Sequence, residues 1–507
     1  MSNKFLNLLL LFLCLISFNA KAIENNSISD STKVDVEIDT IKPAYSGTLP
    51  VLYINTEENA PIVSREEYLK ASCYLDTLGI EGYGALGSEV EQIALQIKGR
   101  GNASWLNSDK KPYRIKFEEK QEIMGMKPNK HFALIAHASG YTTYLTEAAG
   151  FELGKMIGLA WTPEVKPLEL VVNNEYLGIY FLTEHIRIDE NRVNITEQPD
   201  SCTNAEEITG GWLVEIDNYD DPYQIVLTEG NGSKLRITHK SPEELSPEQR
   251  EYLTTQISTI DSIIYAEDKS SSLLWDKYID LDYLAKYYIV QEILDNADAF
   301  KGSTYMHKDV GDDKKWIFGP LWDLGYSFWR DKDFLYNNPT HSSITWIGEI
   351  AKFPAFQEKV REVWSEFSPK IPEIYDFIDN YAELCAGADR ADAERWPQYN
   401  GGNTTSKRNS LKKKLAANIE WLTLAWSEVT SIQQLKNENL KISDNGSSLI
   451  CSIDCMSAKM YDLTGNCIIL TKFDDNTFTH LTLNPGIYII ELTTYDNHRF
   501  HTKIIIR

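Results

Sequence analysis

Between residues 280 and 329 a helical run gives way to two short strand-like runs, with acids on either side of them. The run DLDYLAKYYIVQEIL (280–294) is apolar on most of its faces, which predicts a buried helix. The pattern then breaks at Asp295, Asn296 and Asp298, and Gly302 ends the turn. Residues 304–307 and 315–318 read as strands joined by the polar turn 309–314, a hairpin. Asp323 follows in an otherwise apolar string, PLWDLGYSF. A buried acid is costly unless it is paired or binds a cation. A hairpin brings its two ends together, so Asp298 and Asp323 can converge on one point. Alone, either acid would read as a turn cap or a strand end; the ordered set favours a site.

Helix, loop, hairpin and acid follow one another in protein kinases. There a catalytic Asp is followed five residues later by a metal-binding Asn and, past a hairpin, by a metal-binding Asp. Here the three positions hold Asp298, Ser303 and Asp323. With Asn296, Tyr305, Pro320 and Trp322 between and beside them, the stretch resembles the spore coat protein H (CotH) kinase family, atypical secreted kinases. The run KGRGNASW through KKPYRIKF is similar to the family's R-G-N-x-S-W and K-x-P-Y-R-like runs. Arg100, Gly101, Asn102, Ser104, Trp105, Lys111, Pro112, Tyr113 and Arg114 all fit. A third match is PLELVVNNEYLGIYFLTEH (167–185), a hairpin around Asn173 and Asn174, with Asn174 where the family usually has Gly.

The residues support parts of this independently. Apolar side chains alternate over 113–117, so Arg114 and Lys116 share the other face of a strand. A strand lysine facing phosphate is the kinase arrangement, although a solvated basic face is commoner. Lys116 ranks above Lys111 for that role. The glycine-flanked turn at Arg100 can offer backbone N–H groups to phosphate. Residues 142–157 read as a helix capped by Thr143 and ended by Gly158. Glu147 and Glu152 on it are candidates to face the strand lysine. Residues 210–217 read as a strand whose Glu215 and Asp217 line the cleft or face solvent.

The resemblance implies an α+β fold: a two-lobed, atypical protein-kinase-like domain over residues 48–428. It implies phosphate transfer from ATP to protein Ser or Thr, with Mg²⁺ or Mn²⁺. Asp298 would be the catalytic base. Asp323 and Ser303 would hold the metal, and Arg100, Lys116 and Glu184 the nucleotide. Three positions depart from the family: Ser303 for Asn, Gly325 for a second Asp, and Thr146 for Arg. They keep a second class open, an exported pseudokinase or a surface binding and adhesion protein without turnover.

The remaining chain bounds the partners. A net charge of -24 repels phosphate backbones and argues against nucleic acid. Lys4, the apolar run 8–18 and Ala20-Lys21-Ala22 read as a signal peptide over 1–22, followed by a polar leader over 23–47. No later run is apolar enough to span a membrane. The chain is therefore expected to be exported, secreted or held at the cell surface. Six cysteines follow residue 22, without zinc-like spacing, and read as buried thiols or one bridge. Helices are expected over 356–367, 374–385 and 407–426, with 393–409 as a loop. Residues 431–507 are rich in short strands and read as a small antiparallel β-sandwich. YDLTGN, LNPGIYII and HTKIIIR resemble the C-terminal sorting domain of type IX secretion in Bacteroidetes. That implies the secretion machinery as a partner.

Overall fold

The computed structural model describes residues 45–137, 144–228, 234–328, 333–337, 345–399, 403–426 and, in short pieces, 442–506. The signal peptide, nearly all of the leader, the Thr143 cap and the turn at 464–466 lie outside the described residues.

Seven strands close into a barrel. They are β1 (Val51–Thr56), β2 (Leu69–Asp76), β3 (Ile93–Gly99), β4 (Tyr113–Ile123), β5 (Met126–Ile135), β6 (Val165–Val172) and β7 (Glu175–Glu184). Their order is β1-β2-β3-β4-β5-β7-β6, and a parallel β1–β6 pairing completes the ring. Alternation decides which side chains point inward. Leu95, Ile97, Tyr113, Ile115, Phe117, Phe132, Leu134, Leu170 and Leu182 fill the interior. Asn173 and Asn174 turn β6 into β7 with φ of 50° and 66°. Two successive left-handed residues suit a tight hairpin turn, and Asn tolerates them better than most residues.

The barrel's outer face joins a larger core. Ala133, Ile179 and Phe181 pack there with α2 (Tyr144–Ile157) and the buried helix α4 (Leu281–Leu294). A one-turn helix, α1 (Ala103–Leu106), sits in the loop between β3 and β4. A five-stranded antiparallel sheet follows: β8 (Trp212–Asp217), β9 (Gln224–Thr228), β10 (Lys234–Ser241), β11 (Thr304–Lys308) and β12 (Ile317–Phe318). Its order is β12-β11-β8-β10-β9. The expected hairpin is β11–β12, in register His307 to Ile317. Helix α3 (Pro247–Ile264) precedes α4, and α5 (Pro354–Phe367), α6 (Glu373–Arg395) and α7 (Thr404–Trp426) close the region.

The loop expected over 393–409 is shorter than the sequence suggests. Helix α6 runs on to Arg395 because its last turn is tied to the barrel. Asp392 takes a 2.7 Å ion pair from the buried Lys110 and a 3.0 Å hydrogen bond from the Ile179 N–H. The Trp396 indole donates to the Leu177 carbonyl at 2.9 Å. Helix α7 then starts early, at Thr404, whose hydroxyl donates to Asp389 at 2.7 Å.

Residues 442–506 form two four-stranded sheets that share one apolar cluster, including Leu449, Met460, Phe478, Ile490 and Leu492. Among the described residues none of the six cysteines is in a disulfide, and five of them are buried. Among the described residues no helix is long and apolar enough to cross a membrane.

Candidate active site

Helix α4 ends at Asp295, which adopts φ 45° and turns the chain sharply out of the helix. The loop beyond is stitched down at both ends. The Asn296 amide donates to Gln291 at 2.9 Å, and its oxygen accepts the Asp298 N–H at 3.2 Å. The Thr304 hydroxyl oxygen accepts the Phe300 N–H at 2.8 Å. The segment bearing Asp323 is sewn to the same loop: Ala297 N–H donates to Tyr326 O at 3.1 Å and Phe328 N–H to Leu294 O at 2.8 Å. The hairpin thus returns the chain to its starting point and brings the segment of Asp323 back to the loop that carries Asp298.

The electrostatics agree with this return. The Asp298 carboxyl is pushed above the usual carboxylate range by burial, with Lys301 opposing and the Asp323 charge adding to the rise. Lys301 Nζ lies 3.5 Å from it. Asp323 is exposed and sits at φ 51°. A third acid completes the group. Glu147 on α2 is buried, and burial followed by the Asp323 charge pushes it up to about 8, against the opposing Arg100.

Helix α2 can approach so closely because of two glycines. A Cβ on Gly150 would lie 2.2 Å from Leu324 Cδ1 and 2.8 Å from Leu294 Cδ1; one on Gly154 would lie 2.6 Å from Leu321 Cδ1. Glu147, Gly150 and Gly154 share one helix face, so the clamp that seats α2 also aims Glu147. Gly150→Ala should therefore destabilise the fold by about 1–3 kcal/mol through overpacking and displace Glu147. Urea denaturation should show the loss; an unchanged midpoint would contradict the clamp.

Glu147 meets a histidine, not a lysine. His137 Nε2 lies 3.2 Å from Glu147 Oε2. Burial, then the charges of Lys110 and Arg100, pull His137 down to about 3. Both groups are thus neutral at neutral pH, and His137 Nε2 makes no hydrogen bond among the described residues despite the close approach. Sequence reasoning missed His137. The strand directly before α2 is β5, and His137 lies two residues past its end.

Arg100 arrives at the same place. Its guanidinium lies over the Trp322 ring, 5.5 Å from the centroid, and the His185 ring stands 5.9 Å from Trp322. Ser303 sits at the foot of β11 with φ 48°, after a turn closed by Gly302 N–H to Asp298 O at 3.0 Å. Lys116 lies on the barrel wall, paired across strands with Gln96 and His131. Glu184 is buried: one oxygen accepts the Glu164 N–H at 2.9 Å, and the other is 3.8 Å from Arg192 Nε. Burial raises its carboxyl, and its neighbours make it a barrel lock. Glu152 lies near Lys155, at 3.9 Å, on the rim of a separate cavity of about 270 Å³. Thr146 is buried within α2. Glu215 is buried with Lys240 at 2.8 Å, while Asp217 is 3.9 Å from the same amine.

Among the described residues no three His, Cys, Asp or Glu side chains assemble into a self-sufficient metal cage. Mg²⁺ commonly needs only one or two carboxylates, with phosphate oxygens and water filling the remainder. The Asp323 charge raises both Asp298 and Glu147, with Lys301 and Arg100 opposing it. That donor set fits a divalent cation that arrives with phosphate.

No curated protein matches the chain. The family described as CotH kinase protein matches residues 96–422, well over half the chain and inclusive of Arg100, Glu147, Asp298 and Asp323. The chain belongs to that family.

Proposed function

We propose that this chain is an exported protein kinase that transfers the terminal phosphoryl group of ATP to a Ser or Thr hydroxyl of a protein. On this reading the barrel is one lobe, the helices α4–α7 belong to the second, and residues 431–507 form a β-sandwich for sorting. The observation that carries the reading is the return of the Asp323 segment to the Asp298 loop across one hairpin, with the Asp323 charge acting on both Asp298 and Glu147 and Arg100 acting on Glu147. Asp298, half-sheltered and raised above its ordinary value, is suited to accept the proton of the acceptor hydroxyl as its oxygen attacks phosphorus. The bond to the bridging oxygen breaks and ADP leaves. Arg100 would meet the charge on the phosphoryl oxygens. Asp323 would hold Mg²⁺ or Mn²⁺, which neutralises phosphate charge when bound. A second reading, nucleotide binding without turnover, is favoured by the neutral His137 where a kinase has lysine, and by Ser303.

Incubation of the purified chain with labelled ATP and Mg²⁺ or Mn²⁺ tests the reading, with label on Ser or Thr as the expected result. Ser303→Asn sharpens the test. Ser303 is at φ 48°, a left-handed conformation that Asn adopts more readily than Ser. The longer amide oxygen should also reach an ion that the hydroxyl meets only through water. Transfer should rise by about tenfold, since each tenfold step is only about 1.4 kcal/mol, with folding intact. ATP binding without label in either form would place the chain in the second class.

A further inference from the structure

The barrel face toward Trp322 carries arginines that, among the described residues, have no carboxylate in an ion pair. Lys98 on β3 and Arg114 on β4 are directly paired across the strands. Like charges in that position destabilise a sheet unless an anion offsets them. Arg100 follows Lys98 by two residues and lies against Trp322. Arg187 follows His185, whose N–H donates to the carbonyl of His131 on β5 at 3.5 Å, so it emerges at the edge of the same face. The buried Nε of Arg114 makes no hydrogen bond among the described residues.

Groups from neighbouring elements act on Arg114. They are the hydroxyls of Tyr68 and Tyr305 and the charges of Arg187 and Arg100, while burial, the largest influence, lowers the guanidinium. Arg100 in turn acts on Glu147, beside Asp323. Two imidazoles complete the face. His131 is drawn down to about 3 by burial and then by Arg187 and Arg114. Burial and then Arg114 and Arg100 draw His185 down as well. Both stay neutral, so the charge on this face is guanidinium and lysine. In a chain of net charge -24, carboxylates for pairing are plentiful. A row of arginines left without them is a site built for an incoming anion, and guanidinium forks match phosphate oxygens in pairs.

We infer that Arg100, Arg114 and Arg187 form a polyphosphate track, which holds the phosphate chain of the donor and makes that chain, and not the base, its main recognition element. The inference rests on the proposed kinase reading for the orientation of the chain, with the terminal phosphate at the Arg100 end beside Asp323. The donor class is then nucleoside triphosphates in general, and inorganic tripolyphosphate should occupy the same track.

Calorimetry on the full chain with inorganic tripolyphosphate, without divalent metal, tests it. Tripolyphosphate should bind, more weakly as salt is raised, and should displace ATP. Arg114→Gln and Arg187→Gln should each weaken it on the order of tenfold or more, the scale of one charge-assisted hydrogen bond. Arg114→Lys, which keeps charge but loses the fork, should fall between. Lys120→Gln, at an exposed pair with Asp189, should change nothing. ATP and GTP should bind alike. Absence of tripolyphosphate binding, indifference to the arginine changes in variants with native circular dichroism, or strong preference for one base would each overturn the inference. Binding of a phosphoserine peptide in place of tripolyphosphate would overturn it too, by assigning the row to the acceptor. Tripolyphosphate bound on the track with no transfer from ATP would leave the inference standing and remove the kinase reading. Transfer from ATP that tripolyphosphate does not inhibit would do the reverse.

Discussion

Asp298→Asn should cut phosphate transfer by about a thousandfold, the middle of the range for loss of a general base, with little change in ATP affinity. The amide has the shape of the carboxylate but cannot take the hydroxyl proton. The loop should survive, because its turn depends on the Asp298 backbone carbonyl, which accepts from Lys301 N–H at 3.3 Å and Gly302 N–H at 3.0 Å. Asp323→Asn should behave differently. Its charge is felt by both Asp298 and Glu147, so a cation there would meet it from either side. Removing it should abolish the Mg²⁺-dependent part of ATP affinity along with transfer. Labelled transfer and calorimetry with and without Mg²⁺ distinguish the two variants. Matching losses of ATP affinity in both, or full transfer by Asp298→Asn, would contradict the division of roles.

The helix and hairpin around the two aspartates were legible in the sequence because their signals are local: an apolar helical run, a polar break and two short strand-like runs about a polar turn. The β6–β7 hairpin was legible for the same reason, since two adjacent asparagines suit two left-handed residues. The partner of Glu147 was not. Strand β5 reads MKPNKHFALI, whose first half offers Pro, Asn and two lysines in place of an apolar alternation. Without that strand, the lysine facing the helix is sought on β4, at Lys116. Recognising that the strand before α2 must be the one beside it would have pointed to residues 131–137. Helix α3 was overlooked although Ser246 and Gln249 form a capping box with Pro247 at the first turn. Glu147 and Glu152 were equivalent in the sequence; Gly150 and Gly154, on the face of Glu147, decide between them. The Lys110–Asp392 pair joins residues far apart in the chain, and no periodicity or local motif announces such a contact. Glu184 illustrates the opposite case. A strand-end acid suggests a cleft, yet Arg192 and the Glu164 backbone enclose it.

Glu147→Gln should flatten the alkaline side of the stability profile. Burial first, then Asp323, holds Glu147 up to about 8, while burial first, then Lys110 and Arg100, holds His137 down to about 3. In the unfolded chain Glu ionises near about 4.3 and His near about 6.5. Between the lower and the upper value the folded chain keeps a proton on Glu147 that the unfolded chain has released. Stability from Glu147 is therefore full below the unfolded value and lost as pH rises through the folded one. His137 has the opposite sign: the unfolded chain takes up a proton that the buried ring refuses. Its stability is full above the unfolded value and lost as pH falls toward about 3. Glutamine preserves the uncharged shape of Glu147 and cannot ionise, so only the first limb disappears. Near pH 5 the variant and the parent should melt close together. By about pH 8 the variant should be more stable by a few kcal/mol, since every tenfold difference in proton affinity between the folded and unfolded chains is worth about 1.4 kcal/mol. The gap should narrow when Mg²⁺ and ATP are added, because a cation beside Asp323 cancels part of the charge that keeps Glu147 protonated. Melting curves across this range, with and without Mg²⁺ and ATP, give the answer. Parallel profiles for parent and variant would mean that Glu147 is ionised in the folded chain, and that His137 and Glu147 form an ion pair after all.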